Sequence, residues 1–345
     1  MINKLNVRKL ITNNSALFVF LLLFITAGIV YGEKLVSPSV VINLFTQSSI
    51  MGLVAIGMTC VILTGSIDLS VGSIVGISGA FAALLSSGNV LLVILVSIIT
   101  GFVIGMLNGL LVTKMRIVPF ISTLATMIGV RGVIFIISDN KSISAGDATN
   151  AFQNIAKWDM TALNGMLLGS DPTPATAKSV GLVTSSLEKL PLFIYFLVAV
   201  ILLMIVLKYT RFGRSIYAVG GNIEAAKMMG INTGRVIRFA YTISGVLSAI
   251  AGMVLCSRLR MGQHVAGEGW EMSAIASTVI GGTLLTGGKG TIGGTFFGVL
   301  IIELIKQIFI MQGNINVWWQ NIATGVILLI VVMIQARTQV KKGNI

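Results

Sequence analysis

Long apolar runs separated by short polar stretches organise this chain. Because an apolar helix of about 20 residues crosses the hydrocarbon layer of a bilayer, each run of that length predicts one crossing. Seven runs are clear or nearly clear, at residues 16–31, 90–112, 118–137, 190–207, 239–257, 291–311 and 318–335. Three shorter runs bordered by glycine predict helices broken or capped within the membrane, at residues 50–64, 72–86 and 272–285. The pattern predicts an all-α polytopic membrane protein with about ten transmembrane helices, some of them broken or short.

Composition supports a membrane protein. The 345 residues are 55% hydrophobic and 10% charged, with a mean hydropathy of +0.96. That leaves too few charges to cover a soluble globule. The net charge of +13 does not indicate nucleic acid, because the basic residues lie in short groups beside apolar runs. We therefore expect residues 1–345 to form a single transmembrane domain surrounded by membrane lipids.

The distribution of lysine and arginine predicts the orientation. Positive residues collect on the cytoplasmic side of a membrane protein. With ten crossings, four basic groups fall on one face: Lys4, Arg8 and Lys9; Lys114 and Arg116; Lys208, Arg211, Arg214, Lys227, Arg235 and Arg238; and Arg337, Lys341 and Lys342. We expect cytoplasmic segments at residues 1–15, 208–238 and 336–345. Residues 138–189 carry four lysines, four aspartates and one glutamate, a balance that suits an external loop.

The polar stretch at residues 217–235 is an unusual connector between two apolar runs. Asn222 is a natural N-cap, Glu224 faces the positive end of a helix dipole, and Gly230 is a natural stop, so a short helix is predicted. A plain surface helix would fit this pattern too. An ordered connector nevertheless favours docking onto a partner.

A faint internal repeat links two glycine-rich segments. Displaced by 222 positions, Leu63-Thr64-Gly65 followed by Gly72 and Gly76 matches Leu285-Thr286-Gly287 followed by Gly294 and Gly298. Chance alignment stays open. A true repeat predicts one interrupted helix in each half, the arrangement that many transporters place along the substrate path.

Polar residues in these two segments are the candidates for a translocation path. Asp68 is predicted either to cap the helix that starts near Ser70 or to act in transport, because an acidic side chain at membrane depth is costly. The candidate path residues are Ser66, Asp68, Ser70, Ser273, Ser277 and Thr283.

Other features indicate architecture. Three glycines spaced by four residues form a ridge that lets another helix approach closely, at Gly101, Gly105 and Gly109. Glu303 and Lys306 are one helical turn apart and are expected to pair. Arg131 either lines an aqueous path or extends towards the interface. His264 is expected in a polar external loop, and with no second histidine or thiol nearby we expect no metal site.

Four motifs, in the same order along the chain, resemble the membrane permeases of bacterial ABC sugar importers of the ribose type. They are Gly57-Met-Thr-x-Val-Ile-x-Thr-Gly-x-Ile-Asp-Leu-Ser-Val-Gly-Ser73, Val118-Pro-Phe-Ile-x-Thr-Leu124, Gly213-Arg-x-x-Tyr-Ala-Val-Gly-Gly-Asn-x-Glu-Ala-Ala226 and Gly281-Gly-Thr-x-Leu-x-Gly-Gly-Lys-Gly290. The likeness runs from about residue 48 to the C-terminus. It implies a permease subunit of the bacterial plasma membrane that pairs with a second copy or a close paralogue.

The resemblance also implies how the subunit is driven. The connector would be the coupling helix that docks on a cytoplasmic ABC ATPase, through Gly220, Gly221, Asn222, Glu224, Ala225, Ala226 and Gly230. An external sugar-binding protein would deliver the solute. The chain would hold no cofactor and would not itself be an enzyme, since ATP and Mg²⁺ would be bound by the ATPase. Its nearest match to a phosphate loop, Gly287-Gly-Lys289, is followed by Gly290 and lacks the required spacing.

Two departures leave the solute open. Ser273 stands where the family often has an aspartate, and residues 171–174 lengthen the external loop. A permease for nucleosides or branched-chain amino acids within the same superfamily is an alternative. A secondary transporter driven by an ion gradient predicts several membrane carboxylates, and the apolar runs offer Asp68 and Glu303. A passive channel gives no reason for an ordered cytoplasmic helix.

Overall fold

Helices make up most of the computed structural model, which describes residues 15–145, 150–158, 181, 184, 187, 188, 190–313, 316 and 318–340. The elements are α1 (Ser15–Tyr31), α2 (Glu33–Val36), α3 (Pro38–Leu63), α4 (Val71–Leu85), α5 (Val90–Thr113), α6 (Pro119–Ser138), β1 (Ile143–Ser144), α7 (Asn150–Gln153), α8 (Leu190–Tyr209), α9 (Arg211–Gly221), α10 (Ile223–Met228), α11 (Thr233–Leu259), β2 (Met261–Gly262), α12 (Trp270–Ile280), α13 (Ile292–Met311) and α14 (Trp319–Val340). The two strands pair antiparallel, with Ile143 opposite Gly262.

Seven of the described helices, α3, α5, α6, α8, α11, α13 and α14, are long and apolar enough to cross a membrane. The expectation of an all-α polytopic membrane protein is thereby confirmed. Two shorter apolar helices, α1 and α4, and the 11-residue α12 correspond to three further predicted runs. The predicted count of about ten crossings depends on these three helices.

One apolar run is longer than the sequence predicts. The run at residues 50–64 was expected to be too short for a full crossing, yet α3 has 26 residues. Its first half is rich in hydroxyl and amide side chains, which hide the helix from a search for apolar runs. Three of these hydroxyls donate to the carbonyl four residues earlier, with oxygen separations of 2.7 Å for Thr46, 2.7 Å for Ser48 and 2.6 Å for Ser49. Such bonds satisfy the hydroxyls inside their own helix.

The core lies around α3 and α11. Within the protein, 94% of the apolar stretch of α3 and 67% of that of α11 are buried, against 17% for α6 and 6% for α14. α11 packs against α3, α4 and α5, whereas α6 and α14 lie at the periphery. A bilayer or a second protein must therefore cover the outer apolar faces, because water would not.

The three ridge glycines of α5 all face α11. A β-carbon at Gly101 would overlap the carbonyl oxygen of Gly245, one at Gly105 would lie 2.5 Å from the carbonyl oxygen of Tyr241, and one at Gly109 would lie 2.8 Å from the Cα of Arg238. The two helix backbones are thus in direct contact. Close approach of this kind lets packing forces hold helices together where lipid offers no hydrophobic driving force.

Replacing a ridge glycine is expected to destabilise the protein. In Gly105→Ala the new methyl group meets backbone that cannot move aside, so the free energy of unfolding should fall by about 1–3 kcal/mol. Gly129→Ala in α6 is the matched control, since a β-carbon there meets nothing within 4 Å. The midpoint of SDS-induced unfolding of the purified protein in detergent measures both. Equal midpoints for the two variants would contradict the described packing.

Candidate functional site

Two interrupted helices occupy related places in the fold. The first break, residues 64–70, separates α3 from α4, and the second break, residues 281–291, separates α12 from α13. Gly65 and Gly287, which are equivalent in the sequence repeat, both have left-handed backbone, with φ of 78° and 86°. This conformation is open to glycine at little cost, so the shared backbone geometry supports the repeat.

The two breaks touch each other. The backbone N–H of Gly288 donates to the carbonyl oxygen of Leu63 at 3.0 Å, and a β-carbon at Gly287 would lie 2.7 Å from the nitrogen of Gly65. Leu63 is the last residue of α3, so its carbonyl has no partner within its own helix. The second break thus satisfies a backbone group that the first break leaves open.

The connector between α8 and α11 consists of two helices. α9 begins at a Thr210 cap, whose hydroxyl accepts from the N–H of Gly213 at 3.1 Å. α10 begins at Asn222, whose side chain accepts from the N–H groups of Glu224 and Ala225, both at 3.0 Å. Gly230 follows α10 with φ of 78°. The structure therefore has the predicted Asn222 cap and the predicted stop.

The helix α9 is absent from the elements that the sequence pattern predicts. This helix buries Gly213, Ile216 and Val219 on one face and exposes Arg211 and Arg214 on the other. Threonine at position 210 and buried residues three apart were the available signals. They were overlooked because the helix is too polar to register as an apolar run.

The end of α9 fits against both breaks. A β-carbon at Gly220 would overlap the carbonyl oxygen of Leu63 and would lie 2.5 Å from the nitrogen of Gly288. The hydroxyl of Tyr217 donates to the carbonyl oxygen of Gly290 at 3.0 Å. Burial, and to a lesser degree the nearby Cys60, raises the pKa of the Tyr217 phenol, which keeps it a proton donor at neutral pH. The connector and the two breaks thus form a three-way junction.

α10 projects away from this junction. Among its residues Ala226 alone is buried. Met228 is 88% exposed and the adjoining Met229 is 67% exposed. Glu224 and Lys227 form an exposed ion pair at 2.7 Å. The helix therefore presents a small surface of two methionines beside paired charges, a combination suited to contact with another protein.

Asp68 lies at the centre of a buried hydrogen-bond network. Its carboxylate accepts from the N–H and hydroxyl of Ser70, at 3.0 Å and 2.6 Å, and from the hydroxyl of Ser244 at 3.1 Å. Asn108 donates to the Ser70 hydroxyl at 2.8 Å and accepts from Thr126 at 2.6 Å. The network joins the first break to α5, α6 and α11.

The expected role of Asp68 as a helix cap is met only in part. The carboxylate accepts one backbone N–H, that of Ser70, but Ser70 occupies the N-cap position of α4 and caps it with no side-chain bond. Its other two hydrogen bonds are accepted from the hydroxyls of Ser70 and of Ser244 in α11. A sequence pattern indicates hydrogen bonds between neighbouring residues only, so it could not predict the bond between Asp68 and the distant Ser244.

The remaining path candidates are placed around the two breaks. Ser66 lies in the first break and Thr283 in the second, while Ser273 and Ser277 lie on α12. Five of the six candidates are buried in this conformation, and Ser273 is half-buried. Ser277 donates to the carbonyl of Ser273 at 2.8 Å. The structure thus places three candidates in the first break, one in the second break and two on α12.

Glu303, in α13, forms a local ion pair. Glu303 accepts from the ammonium of Lys306 at 2.7 Å, as the spacing predicts, and it is 7% exposed. Asp68 therefore has both carboxylate oxygens engaged by fixed donors, and Glu303 has its Oε1 engaged by Lys306. A carboxylate held in this way is poorly placed to exchange a transported ion.

These features define a polytopic membrane protein of transporter type, in which two interrupted helices meet a polar two-helix connector. Residues 40–332 match the family described as branched-chain amino acid transport system / permease component, and the chain belongs to this family. Membership identifies it as a transport permease.

Curated relatives cover most of the chain. The ribose import permease protein RbsC of Bacillus subtilis is 39% identical over 322 residues, covering 92% of each chain. The xylose transport system permease protein XylH of Escherichia coli is 33% identical, covering 86% of this chain and 84% of the relative. The fructose import permease protein FruG of Bifidobacterium longum is 31% identical, covering 98% and 94%. No solved structure matches the chain.

Substitutions of Asp68 test what its network requires. Asp68→Asn keeps an acceptor for Ser70 and places an amide against the Ser244 hydroxyl, which can turn to accept. Asp68→Leu leaves buried donors unsatisfied, at about 1–3 kcal/mol for each group. We expect near-normal transport and membrane abundance for the asparagine variant and a loss of both for Asp68→Ala and Asp68→Leu. If Asp68→Asn transports as little as Asp68→Leu while both variants are equally abundant in the membrane, the negative charge itself is needed. That result would favour the ion-coupled alternative.

Proposed function

We propose that this chain forms the translocation path for a sugar in a binding-protein-dependent ABC importer. The relatives are named for import or transport of ribose, xylose and fructose, which favours a sugar over nucleosides or branched-chain amino acids. The observation that carries the mechanism is the contact of Gly220 with both Leu63 and Gly288. It gives a force applied to the connector a direct mechanical route to both interrupted helices.

The proposal places the connector and both termini in the cytoplasm, with ten crossings that include α1, α4 and α12. Two contacts between segments that carry basic groups support the assignment of these groups to one common face. Thr113, next to Lys114 and Arg116, lies against Gly234 at the start of α11, with 3.6 Å from its Cβ to a β-carbon built at Gly234. Gln335, near Arg337, donates to the carbonyl of Thr283 at 3.3 Å in the second break. The N-terminal group, Lys341 and Lys342 lie outside the described residues.

The predicted external side is opposite this face. Of residues 138–189, the structure describes 138–145, 150–158 and a few more, and the hydroxyl of Ser257 near the end of α11 donates to the carbonyl of Phe152 at 2.7 Å. The predicted lengthening at residues 171–174 lies outside the described residues. In our proposal this face receives sugar from the external binding protein in the bacterial plasma membrane.

ATP hydrolysis is assigned to a partner chain. A cytoplasmic ATPase, holding ATP and Mg²⁺, would contact α10 through Glu224, Met228 and Met229, and would push on α9 as its subunits close. Such a push changes transport only if the partner contacts the two states of the permease differently. A rigid helix whose end abuts both breaks provides that difference, because displacement of Gly220 must displace Leu63 and Gly288.

Two copies of the permease, or one copy and a close paralogue, would surround the path. The peripheral helices α6 and α14 leave apolar faces that lipids or the second copy can cover. The buried candidates Ser66, Ser70 and Thr283 would then line the path in a conformation in which the breaks have separated. Hydroxyl groups suit this task because their hydrogen bonds are weak enough to exchange.

Variants of the connector test the coupling. Glu224→Lys breaks the pair with Lys227 and places like charges together, and Gly221→Pro removes a backbone donor at the end of α9. We expect both variants to reach the membrane and to lose sugar uptake and sugar-stimulated ATPase activity by at least about tenfold, equivalent to ~1.4 kcal/mol of coupling.

Gly221→Ala is the matched control for this experiment, since a β-carbon at Gly221 meets nothing within 4 Å. It should retain wild-type uptake and ATPase stimulation. Full activity in Glu224→Lys and Gly221→Pro, with normal membrane abundance, would remove the docking role of α10.

A further inference from the structure

The segment between β2 and α12 enters the protein instead of forming an external loop. Gly262 lies beside Gly79 of α4, with a β-carbon position 2.7 Å from its carbonyl oxygen, and Gly267 lies against Gly72. At 1.5 Å per helical residue, the segment descends about 10 Å along α4. α12 therefore starts beside the beginning of α4, about 10 Å along α4 from the point where the segment begins.

His264 lies on this descending segment. The sequence predicts His264 in a polar external loop, whereas the structure has its side chain half-buried against α6. Its ring is 6.0 Å from that of Phe135, and its Nδ1 atom is buried with no hydrogen-bond partner among the described residues. The run of glycines that follows, which permits close approach to α4, was the signal that could have revealed a re-entrant course.

A cavity of about 390 Å³, lined mainly by apolar surface and by three charged side chains, lies between α6 and the start of α12. Its volume is within the range of about 300–1,000 Å³ that is typical of small-molecule sites. Arg131, Glu268 and Glu271 contribute the charges of its lining, and Phe135 contributes an aromatic surface. The cavity therefore combines an aromatic wall with both hydrogen-bond donors and acceptors.

The three charged side chains are held apart. Arg131 donates through Nη1 to the carbonyl oxygens of Ala266 at 2.8 Å and His264 at 3.3 Å, which fixes the guanidinium against the descending segment. Neither glutamate forms an ion pair with Arg131 in the part of the chain that the structure describes. Glu271 lies over Gly72, with Oε2 at 2.8 Å from the position of a β-carbon there. The Glu271 carboxylate accepts from the backbone N–H groups of Glu271 and Gly269, and since a carboxylate has about four lone-pair sites it can still accept from a ligand, as can Glu268.

We propose that this cavity binds the hydroxyl groups of the transported sugar, with Glu268 and Glu271 accepting hydrogen bonds and Arg131 donating them. This inference rests on the proposed function. Each sugar hydroxyl is both donor and acceptor, so it matches a site that offers carboxylates and a guanidinium together. An anionic solute would be repelled by two carboxylates against one cation.

The position of the cavity and its exposure to solvent fit a site that the sugar occupies transiently during transport. Glu268 is exposed, whereas Arg131 and Glu271 are half-buried, so solvent competes for every bond. Charge-assisted bonds in such a setting bind weakly and release readily. Through Gly72 the cavity adjoins the beginning of α4, so a sugar leaving it would meet the first break.

Direct binding to the purified permease in detergent tests this site. D-Ribose, D-xylose and D-fructose are the probes, and saturation-transfer NMR detects weak binding of each. The wild type should bind at least one of them. Glu268→Gln combined with Glu271→Gln should weaken that binding by about tenfold, because two charge-assisted bonds become neutral ones.

Controls separate a local effect from a general one. Lys141→Gln removes an exposed charge that pairs with Asp139 at 3.8 Å outside the cavity, and it should bind as the wild type does. Glu268→Gln alone alters an exposed side chain and should weaken binding with an unchanged SDS-unfolding midpoint. Equal binding by wild type and double variant, equal loss in Lys141→Gln, or no binding of any probe by the wild type would each overturn the inference.

Uptake distinguishes failure of this inference from failure of the proposed function. Cells with the complete transporter are tested for uptake of the same three sugars. No uptake by the wild type would contradict the proposed function. Wild-type uptake together with unchanged binding and uptake in the double variant would reject the cavity alone.

Discussion

The fold depends on one constraint, which is that the backbone groups freed by a broken membrane helix must find partners inside the protein. A bilayer offers no water to satisfy them. The carbonyl oxygen of Leu63 shows the solution, since it accepts from Gly288 of the second break and lies directly under Gly220 of the connector. Glycine is required at residues 220 and 288, because a side chain at either one would separate the three segments. The same contacts that stabilise the breaks therefore tie them to the connector.

A second set of bonds determines what can move. The Asp68 network joins the first break to α5, α6 and α11, while the glycine ridge of α5 lies in direct backbone contact with α11. These helices are expected to move together. α12, α13 and the second break form a second group, which contacts α3 through the hydroxyl of Thr59, at 2.8 Å from that of Thr295 and 3.5 Å from that of Thr278, and through the backbone contact of Gly288 with Leu63. The proposed sugar cavity lies where the two groups meet, between α6 and α12.

The parts of the fold that the sequence could predict are those encoded locally. Apolar length placed the long helices, and Asn222 with Gly230 placed the ends of α10, because caps and stops depend on a few neighbouring residues. The first half of α3 is not predicted because its hydroxyl side chains, which bond to their own helix backbone, interrupt the apolar run. The helix α9 is not predicted because it is amphipathic and therefore has no continuous apolar run. The Asp68–Ser244 bond and the descent of residues 262–269 along α4 join distant parts of the chain, so a single sequence carries little signal for them.

The central claim is that force on the connector reaches both breaks through Gly220. The most direct test reconstitutes the complete transporter in vesicles and measures sugar transported per ATP hydrolysed for Gly220→Ala and for its neighbour Gly221→Ala. A β-carbon at residue 220 pushes the connector off Leu63 and Gly288, whereas one at residue 221 meets open space. The account predicts that Gly220→Ala hydrolyses ATP but transports severalfold less sugar per ATP, with Gly221→Ala unchanged. An unchanged ratio in Gly220→Ala, at normal abundance and assembly, would contradict it.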